Sequence, residues 1–356
     1  MTLGLPFTAT SSWLAAVVLA AGLVSPAAAG AAEHVAGAIS ESRPFAGSLA
    51  TITIRGASAE QAASALDAAF AAFARVDAVM NEWRRDSPLS QLNAAAGSGD
   101  FTTLPPDLCE VLRLALDGAR RTGGRFDPSW AALRDVWRFD GSGRVPDAGT
   151  VAQRCALVAF EEVRVEREGG ACRARLPRAG MALGLGGIAK GWAVDRAADA
   201  LRSAGARDFV VQAGGDLYAG GRDGDRPWRI GIRDPRGAKD TAFAWVLASD
   251  RAVSTSGDYE HFFVERGRRW HHLLDPASCY PARASRSATI VARSAVEAEI
   301  LSKAVFIAGG REGLELAARE GAAAVIVTAR NGVLASPSLR GSLRWRAPSS
   351  GAGSRR

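Results

Sequence analysis

The chain reads MALGLGGIAKGWAVDRAADALRSAGARDFVVQAGGD from residue 181 to residue 216. A glycine-rich turn that ends near Lys190 precedes an amphipathic helix. A short apolar strand follows at 209–211, and a second glycine turn closes on an acid at 214–216. This order predicts a strand, a glycine turn, a helix, a second strand and a second glycine turn.

The first glycine turn has two interpretations. Backbone amides at a helix N-terminus beside a cation attract an anion such as a diphosphate, which indicates a nucleotide-type ligand. The spacing is not that of a P-loop, because Gly191 follows Lys190, and it is not the GxGxxG of a dinucleotide-binding unit. The alternative is that the glycines serve tight turns and close packing. Both interpretations stay open on spacing alone.

Strands and helices are mixed without a regular βα period in the rest of the chain. Residues 48–54 alternate as a strand does, and a capping box at 58–61 opens a long helix that is expected to end near Trp83. A hairpin is expected at 331–332. This mixture predicts an α+β fold, and we expect one compact domain, possibly two lobed, over residues 40–346.

Composition narrows the class of protein. The chain has 356 residues, 47% hydrophobic and 23% charged, with a net charge of +7, which is ordinary for a globular protein. Residues 347–356 are rich in Ser, Gly and Arg and predict a disordered basic tail. A basic surface attracts anionic partners, but no basic run is interleaved with aromatic residues, so we expect no nucleic-acid partner.

The N-terminus has the layout of a secretory signal peptide. The uncharged apolar run at 13–24 would form a helix of about 18 Å, too short for a hydrocarbon core of about 30 Å. Small residues follow at 27–29 in an A-x-A pattern, although the segment before the run lacks Lys and Arg. We therefore expect residues 1–29 to be a signal peptide, the protein to be exported to the periplasm, and the mature chain to have no transmembrane span. The alternative is an apolar N-terminal helix in a core.

Four cysteines stand at 109, 155, 172 and 279, without CxxC spacing. Because histidine is also scarce, a zinc site is not supported. In an oxidising compartment Cys155 and Cys172, which flank a predicted hairpin, are candidates for a disulfide. Cys109 lies on an apolar helical face and is predicted to be a small core residue.

Four places collect polar groups amid apolar sequence. They are the glycine-lysine turn, the hydroxyl-rich run at 254–258, the HHLLDP run at 271–276, and the helix at 297–303. Each has a structural explanation when taken alone; Glu299 and Lys303, for example, are four residues apart and suit a surface ion pair. Together they indicate a phosphate ligand, a base and a hard-cation site.

At these places the sequence resembles the FAD:protein FMN transferase (ApbE-like) family. The resemblance covers about residues 44–338, and its motifs are LGLGGIAKGWAVDRAADALRSAG, VVQAGGDLYAGG, WRIGIRDP, AVSTSGDYEHFF, HHLLDPASCYPA and AEILSKAVFIAGG. It implies an exported α+β protein that binds FAD and Mg²⁺. It also implies transfer of FMN from FAD onto a Thr or Ser hydroxyl of a target flavoprotein in a membrane redox complex, with release of AMP.

The resemblance also implies roles for individual residues. Trp83 would stack on a flat ring, Lys190 would face the diphosphate, and His272 would act as a general base toward the acceptor hydroxyl. The implied FAD contacts are Ala46, Trp83, Arg125, Phe126, Asp127, Gly184, Lys190 and Leu273. The implied metal site comprises Gly187, through its backbone, with Glu299, Ser302 and Lys303.

Four positions depart from the family pattern. Gly184 and Glu299 stand where the family usually has Asp, Lys303 where it has Thr, and Cys279 where it has Gly. A protonated lysine cannot ligate Mg²⁺, so Lys303 either points away while the ion binds, or points in and replaces part of the ion's role. We expect the first, because a lysine stem can swing its head to solvent.

Two other functions stay open. One is a non-catalytic FAD-binding carrier or chaperone for a flavoprotein, which the departures at Gly184 and Lys303 favour. The other is an FAD pyrophosphatase that uses water as the acceptor. Release of AMP from FAD, with and without an acceptor, distinguishes the three.

Overall fold

The computed structural model describes residues 33–35 and 37–346. The predicted signal peptide at 1–29 and the predicted tail at 347–356 lie outside the described residues.

The helices are α1 (Ala59–Met80), α2 (Pro88–Ala94), α3 (Pro106–Arg121), α4 (Ala148–Cys155), α5 (Ala189–Ser203), α6 (Ala295–Ala308) and α7 (Gly310–Arg319). The strands are β1 (Glu33–Val35), β2 (Ala38–Phe45), β3 (Ser48–Arg55), β4 (Thr102–Leu104), β5 (Arg164–Glu168), β6 (Ala171–Arg175), β7 (Asp208–Ala213), β8 (Asp216–Gly220), β9 (Trp228–Arg233), β10 (Ala242–Ala248), β11 (Arg251–Gly257), β12 (Phe262–Glu265), β13 (Arg268–His271), β14 (Leu274–Asp275), β15 (Tyr280–Pro281), β16 (Ser285–Ala292), β17 (Ala323–Thr328), β18 (Val333–Ala335) and β19 (Leu343–Trp345).

A nine-stranded antiparallel sheet organises the domain. Its order is β1-β2-β3-β7-β8-β11-β16-β17-β18. Helices α1, α5, α6 and α7 pack on one face, and the small sheet of β19, β10 and β9 covers the other. Successive side chains of a strand point to opposite faces, so Val211 packs with the helices while Val210 packs with the small sheet. The predicted α+β fold is confirmed.

Helix α1 shows how local sequence sets the helical layer. The Ser58 hydroxyl accepts from the backbone N–H of Gln61, and the Gln61 side chain accepts from the Ser58 N–H, as the capping box predicts. The apolar stripe that includes Phe70 and Phe73 is buried. The helix ends at Met80 rather than near Trp83, because Asn81 adopts an extended backbone and its side chain accepts from the backbone N–H that follows at 83.

Helices α5 and α6 cap each other's first turns. The Asp195 carboxylate of α5 accepts from the backbone N–H groups of Ala295 and Val296 at 2.7 and 3.0 Å. The Glu299 carboxylate of α6 accepts from the N–H of Gly191 at 2.7 Å. A Cβ atom at Gly191 would lie 2.5 Å from the carbonyl oxygen of Ala295. The close approach that this glycine permits therefore fixes the start of α5 against α6.

The predicted pairing of Cys155 with Cys172 was wrong, whereas Cys109 is buried in the core as predicted. Cys109 bonds to Cys172, and Cys155 bonds to Cys279. The hairpin of β5 and β6 forms as expected, but β6 also pairs with β4, opposite Leu104, and β4 leads directly into α3. This pairing points Cys172 into the core toward α3, so its sulfur meets Cys109 instead of Cys155.

Both disulfides are expected to stabilise the folded state. They join residues 63 and 124 positions apart, and closing loops of that size corresponds to about 4–5 kcal/mol each in the chain-entropy account. We expect Cys109→Ala/Cys172→Ala and Cys155→Ala/Cys279→Ala to lose stability on that scale in urea unfolding. Unchanged unfolding of the parent chain in excess reductant would contradict this expectation.

Candidate functional site

Four charged side chains meet where the start of α5 faces α6 and the start of β8. We call Lys190, Asp216, Glu299 and Lys303 the four-charge cluster. The Lys190 ammonium lies 2.5 Å from Glu299 Oε1 and 3.2 Å from Asp216 Oδ2. The Lys303 ammonium lies 3.4 Å from the same Glu299 Oε1. Because the Glu299 side chain is fully buried, its contact with Lys303 is not the surface ion pair that the helical spacing alone allowed.

Burial and charge act differently on members of this cluster. Burial would lower the pKa of Lys190, but Asp216 and Glu299 outweigh it and hold the pKa above its usual value. Burial would raise the pKa of Asp216, but Lys190 and Lys303 hold that pKa below its usual range. The pKa of Lys303 is lowered, because burial outweighs the attraction of the two carboxylates. Lys303 is therefore the more easily deprotonated of the two lysines.

Three buried serine hydroxyls close the cluster on the β11 side. Ser254 Oγ donates to Asp216 Oδ1 at 2.5 Å and lies 3.1 Å from Ser302 Oγ. Ser256 Oγ lies 2.8 Å from Ser302 Oγ, and Ser302 Oγ donates to the Glu299 carbonyl at 2.9 Å. The Ser302 hydroxyl is thus bonded on all sides within the protein.

The glycine-rich turn before α5 is held from two directions. The Glu82 carboxylate accepts from the N–H of Leu185 at 2.8 Å and pairs with Arg134 at 3.0 Å. A side chain at Gly187 would lie 2.9 Å from the Phe126 ring and 3.3 Å from Lys303 Cε. The turn therefore needs glycine at this position because the phenylalanine ring and the lysine stem occupy both sides of it.

Gly184 has a structural explanation in Trp130. The Trp130 indole N–H donates to the Gly184 carbonyl at 3.1 Å. A Cβ atom at Gly184 would lie 2.7 Å from the same indole nitrogen. The indole occupies the space of the aspartate that is usual in the family, so this departure is matched by a neighbouring large side chain.

Trp83 is the most exposed large apolar side chain in the described residues, at 74%. The Arg134 guanidinium lies 4.8 Å from the centroid of its ring, and the strong exposure leaves ring surface free to stack on a flat ligand. Ala46 forms the tip of the β2–β3 hairpin with Gly47, also exposed. Close to this tip, the Gly214 N–H faces the Leu49 carbonyl at 3.5 Å.

Three of the implied FAD contacts are engaged elsewhere in the protein. Arg125 forms an ion pair with Glu312 of α7. The Asp127 carboxylate accepts from the backbone N–H and the hydroxyl of Ser129 at 2.7 and 2.6 Å, which caps a short 3₁₀ helix. Phe126 is buried beneath the glycine turn. Each of these side chains is thus engaged within the protein and shapes the turn and its surroundings.

His272 lies on the loop that follows β13 and is held in one tautomer. Its Nδ1 lies 3.3 Å from the His261 carbonyl. A carbonyl only accepts, so Nδ1 carries the proton and Nε2 is the free acceptor. Burial, with the nearby His261 and His271, lowers the pKa of His272 to about 3, and the charge of Lys303 adds to this effect. The ring is therefore neutral at pH 7 and lies within electrostatic reach of the four-charge cluster.

His271 and Leu273 position this loop. His271 is buried, its Nε2 donates to the Ala282 carbonyl at 2.8 Å, and its Nδ1 accepts from the Leu273 N–H at 3.3 Å. Further along the loop Cys279 has a φ of 59°, in the left-handed region that favours glycine. This backbone explains why glycine is usual there in the family, and the bond to Cys155 anchors the cysteine that replaces it.

The donor set does not fit the Mg²⁺ ion that the resemblance implies. Mg²⁺ needs several free oxygen ligands in octahedral geometry. Glu299 Oε1 faces two ammonium groups, its Oε2 accepts from Gly191, and the Ser302 hydroxyl is bonded within the protein. Residues 33–35 and 37–346 hold no group of three or more His, Cys, Asp or Glu side chains suited to a metal. The expectation that Lys303 points away was wrong, because its ammonium points to Glu299.

Several residues of the site carry no local signal for their role. Asp216 and Ser254 lie in the second glycine turn and in the hydroxyl-rich run, but neither run indicates that the two side chains meet, and Glu82 and Trp130 stand outside the predicted site. The signal for the first pair was the alternation of β11 and its pairing with β8, which places Ser254 opposite Asp216. Glu82 and Trp130 act across more than 50 residues of sequence, so no local pattern indicates them.

Comparison with known proteins shows the family of the chain. The sequence model of the ApbE family matches residues 46–327. An FAD:protein FMN transferase of Rhodobacter capsulatus is 30% identical over 334 residues, which cover 92% of this chain and 62% of that protein. One of Treponema pallidum is 33% identical over 261 residues, which cover 69% of this chain and 72% of that protein. This chain thus spans less than two thirds of the Rhodobacter capsulatus protein.

Solved structures show the same fold. The ApbE protein of Thermotoga maritima has a TM-score of 0.76 and 28% identity, over 84% of this chain and 97% of that one. The apo flavinyl transferase ApbE of Pseudomonas stutzeri has a TM-score of 0.73 and 28% identity, over 85% and 96%. The fold is that of the ApbE proteins, and the chain belongs to the ApbE family.

Proposed function

We propose that this protein transfers FMN from FAD onto a Thr or Ser hydroxyl of a target flavoprotein and releases AMP. The observation that carries the proposal is the position of a neutral His272, with Nε2 free, within electrostatic reach of Lys303, which shares Glu299 Oε1 with Lys190. A base, ammonium groups beside a helix N-terminus and an exposed aromatic ring are the groups that this reaction needs. The relatives named as FAD:protein FMN transferases support it.

The reaction proceeds by attack of the acceptor hydroxyl on the phosphorus on the FMN side of the diphosphate. A bond forms between the acceptor oxygen and this phosphorus, and the bond from the phosphorus to the bridging oxygen breaks. AMP leaves with the bridging oxygen. The acceptor proton passes to His272 Nε2, which is the free acceptor of the ring.

The lysines bind and orient the diphosphate. Lys190 stands at the start of α5, where backbone N–H groups and its ammonium both favour an anion. Lys303 lies beside Gly187 on the other side of the turn. The resemblance also implies Mg²⁺, but the donors at Glu299 and Ser302 do not fit it, and the proposed reaction assigns no step to a metal ion.

We also propose export to the periplasm and a target in a membrane redox complex. The two disulfides support an oxidising compartment, in agreement with the predicted signal peptide at 1–29. No helix within the described ranges 33–35 and 37–346 is both long and apolar enough to cross a bilayer.

Binding of FAD tests the ligand. We expect Trp83→Ala to weaken FAD binding by about 5- to 150-fold, the range that corresponds to loss of 1–3 kcal/mol of stacking. Trp345→Ala is the matched control, because Trp345 is also exposed, at 54%, but lies on β19 in the small sheet. Isothermal titration of both variants with FAD gives the comparison. Equal affinity of Trp83→Ala and the parent chain would contradict the proposed binding site.

A further inference from the structure

Lysine is rare in this chain. Of its 44 Lys and Arg residues only three are lysines, at positions 190, 239 and 303. Two of the three belong to the four-charge cluster, and the third, Lys239, is exposed on a loop. Arginine is a planar fork, whereas lysine is a compact point charge on a flexible stem. Two of the three lysines therefore lie where a compact positive charge fits a confined space.

The charges of the cluster balance with Lys303 included. Asp216 and Glu299 contribute two negative charges, and Lys190 and Lys303 contribute two positive charges, so the sum is zero. A divalent ion added beside Lys303 would give the buried site a net charge of +2. Without Lys303 the same ion would give +1, so Lys303 and a divalent ion compete for the same place.

The position of Lys303 is fixed by packing as well as by charge. Its stem passes Gly187, where a side chain would come within 3.3 Å of Lys303 Cε, and its ammonium reaches Glu299 Oε1. The Lys303 side chain is only 20% exposed. The hydroxyl of Ser302, next to it in sequence, is turned to Ser254 and Ser256. The oxygens that would surround a metal ion are therefore bonded to the protein itself.

We propose that the Lys303 ammonium takes the place of a resident divalent cation, and that FAD binding by this protein needs no divalent metal. The ammonium supplies the positive charge that faces the diphosphate beside the glycine turn. Lys303 is thus a substrate-binding residue of the transfer reaction, and the inference rests on the proposed function.

Two titrations test this inference. In the first, FAD is titrated into the parent chain in EDTA and again in excess Mg²⁺, and we expect affinities that agree within about twofold. In the second, Mn²⁺ is titrated into the parent chain and into Lys303→Thr, and bound ion is followed by electron paramagnetic resonance. We expect Lys303→Thr to bind Mn²⁺ at least tenfold more tightly, because the competing charge is gone and a hydroxyl has been added. Lys239→Thr is the matched control and should bind Mn²⁺ as the parent chain does.

A parent chain that binds FAD only with Mg²⁺ would overturn the inference and leave the transferase proposal standing. Equal Mn²⁺ affinity in the parent chain and in a folded Lys303→Thr would overturn it as well. Because the first titration uses the parent chain alone, the inference stays testable even when a variant does not fold. Failure to bind FAD in either condition would instead overturn the proposed function, and the inference with it.

Discussion

Replacement of His272 by glutamine is expected to slow FMN transfer by about 10²- to 10⁴-fold, the contribution typical of a positioned general base. Affinity for FAD should stay within about twofold, because the imidazole is assigned to the acceptor hydroxyl and not to the diphosphate. The measurement is the single-turnover rate of AMP release from enzyme-bound FAD in the presence of the acceptor. A rate within tenfold of the parent chain would remove His272 from the proposed mechanism.

His261→Gln is the control for this variant. The His261 ring lies edge-on to the His272 ring, with centroids 5.2 Å apart, but the atom that fixes the tautomer is the backbone carbonyl, which the substitution keeps. We therefore expect a change of no more than a few-fold. A loss as large as that of His272→Gln would mean that the second imidazole shares the proton transfer.

The pH profile checks the state of the His272 ring. Because burial lowers its pKa to about 3, the ring keeps its free Nε2 far below the pH at which an ordinary histidine is protonated. We therefore expect no loss of transfer activity through protonation of His272 between pH 8 and about pH 5. A loss of activity centred near pH 6.5 that disappears in His272→Gln would contradict the lowered pKa of His272.

Lys190→Met is expected to lower the free energy of unfolding by about 3–5 kcal/mol, the cost typical of removing one partner from a buried ion pair. The variant leaves the buried carboxylates of Asp216 and Glu299 with Lys303 alone. Urea unfolding of the variant and of Lys239→Met, whose lysine is exposed, gives the comparison.

A double variant separates charge from packing at the same place. Lys190→Met/Glu299→Gln removes one negative charge together with the positive one, so it should recover part of the stability lost in Lys190→Met. If the double variant is as unstable as the sum of both single variants, the two side chains do not interact as the distances indicate.

Local patterns in the sequence predicted the elements that carry the site. The capping box of α1, the glycine turn before α5 and the hairpin of β5 and β6 follow from neighbouring residues, and the structure confirms them. The motifs on α5, at residues 271–276 and on α6 indicate the ApbE family, whose sequence model matches residues 46–327. Local sequence therefore predicts the fold class and the position of the site.

The sequence does not predict the side-chain contacts that form between segments far apart along the chain. Cys172 meets Cys109 because β6 pairs with β4. Lys303 points inward because Glu299 and Asp216, the latter 87 residues before it, are already buried there. The flexible stem of Lys303 would allow its ammonium to reach solvent. The attraction of two buried carboxylates instead directs the ammonium into the protein.

In the proposed reaction FAD is split into FMN, which becomes covalently bound to an acceptor protein, and AMP, which is released. The most direct test is to incubate the purified protein with FAD and the flavin-free subunit of a membrane redox flavoprotein from the same cell, and to measure the acceptor mass and free AMP together. We expect one FMN bound covalently to a Thr or Ser of the acceptor for each AMP released, and almost no AMP without the acceptor. AMP released equally without the acceptor would identify a pyrophosphatase, and FAD recovered intact would identify a carrier; either result would contradict the account.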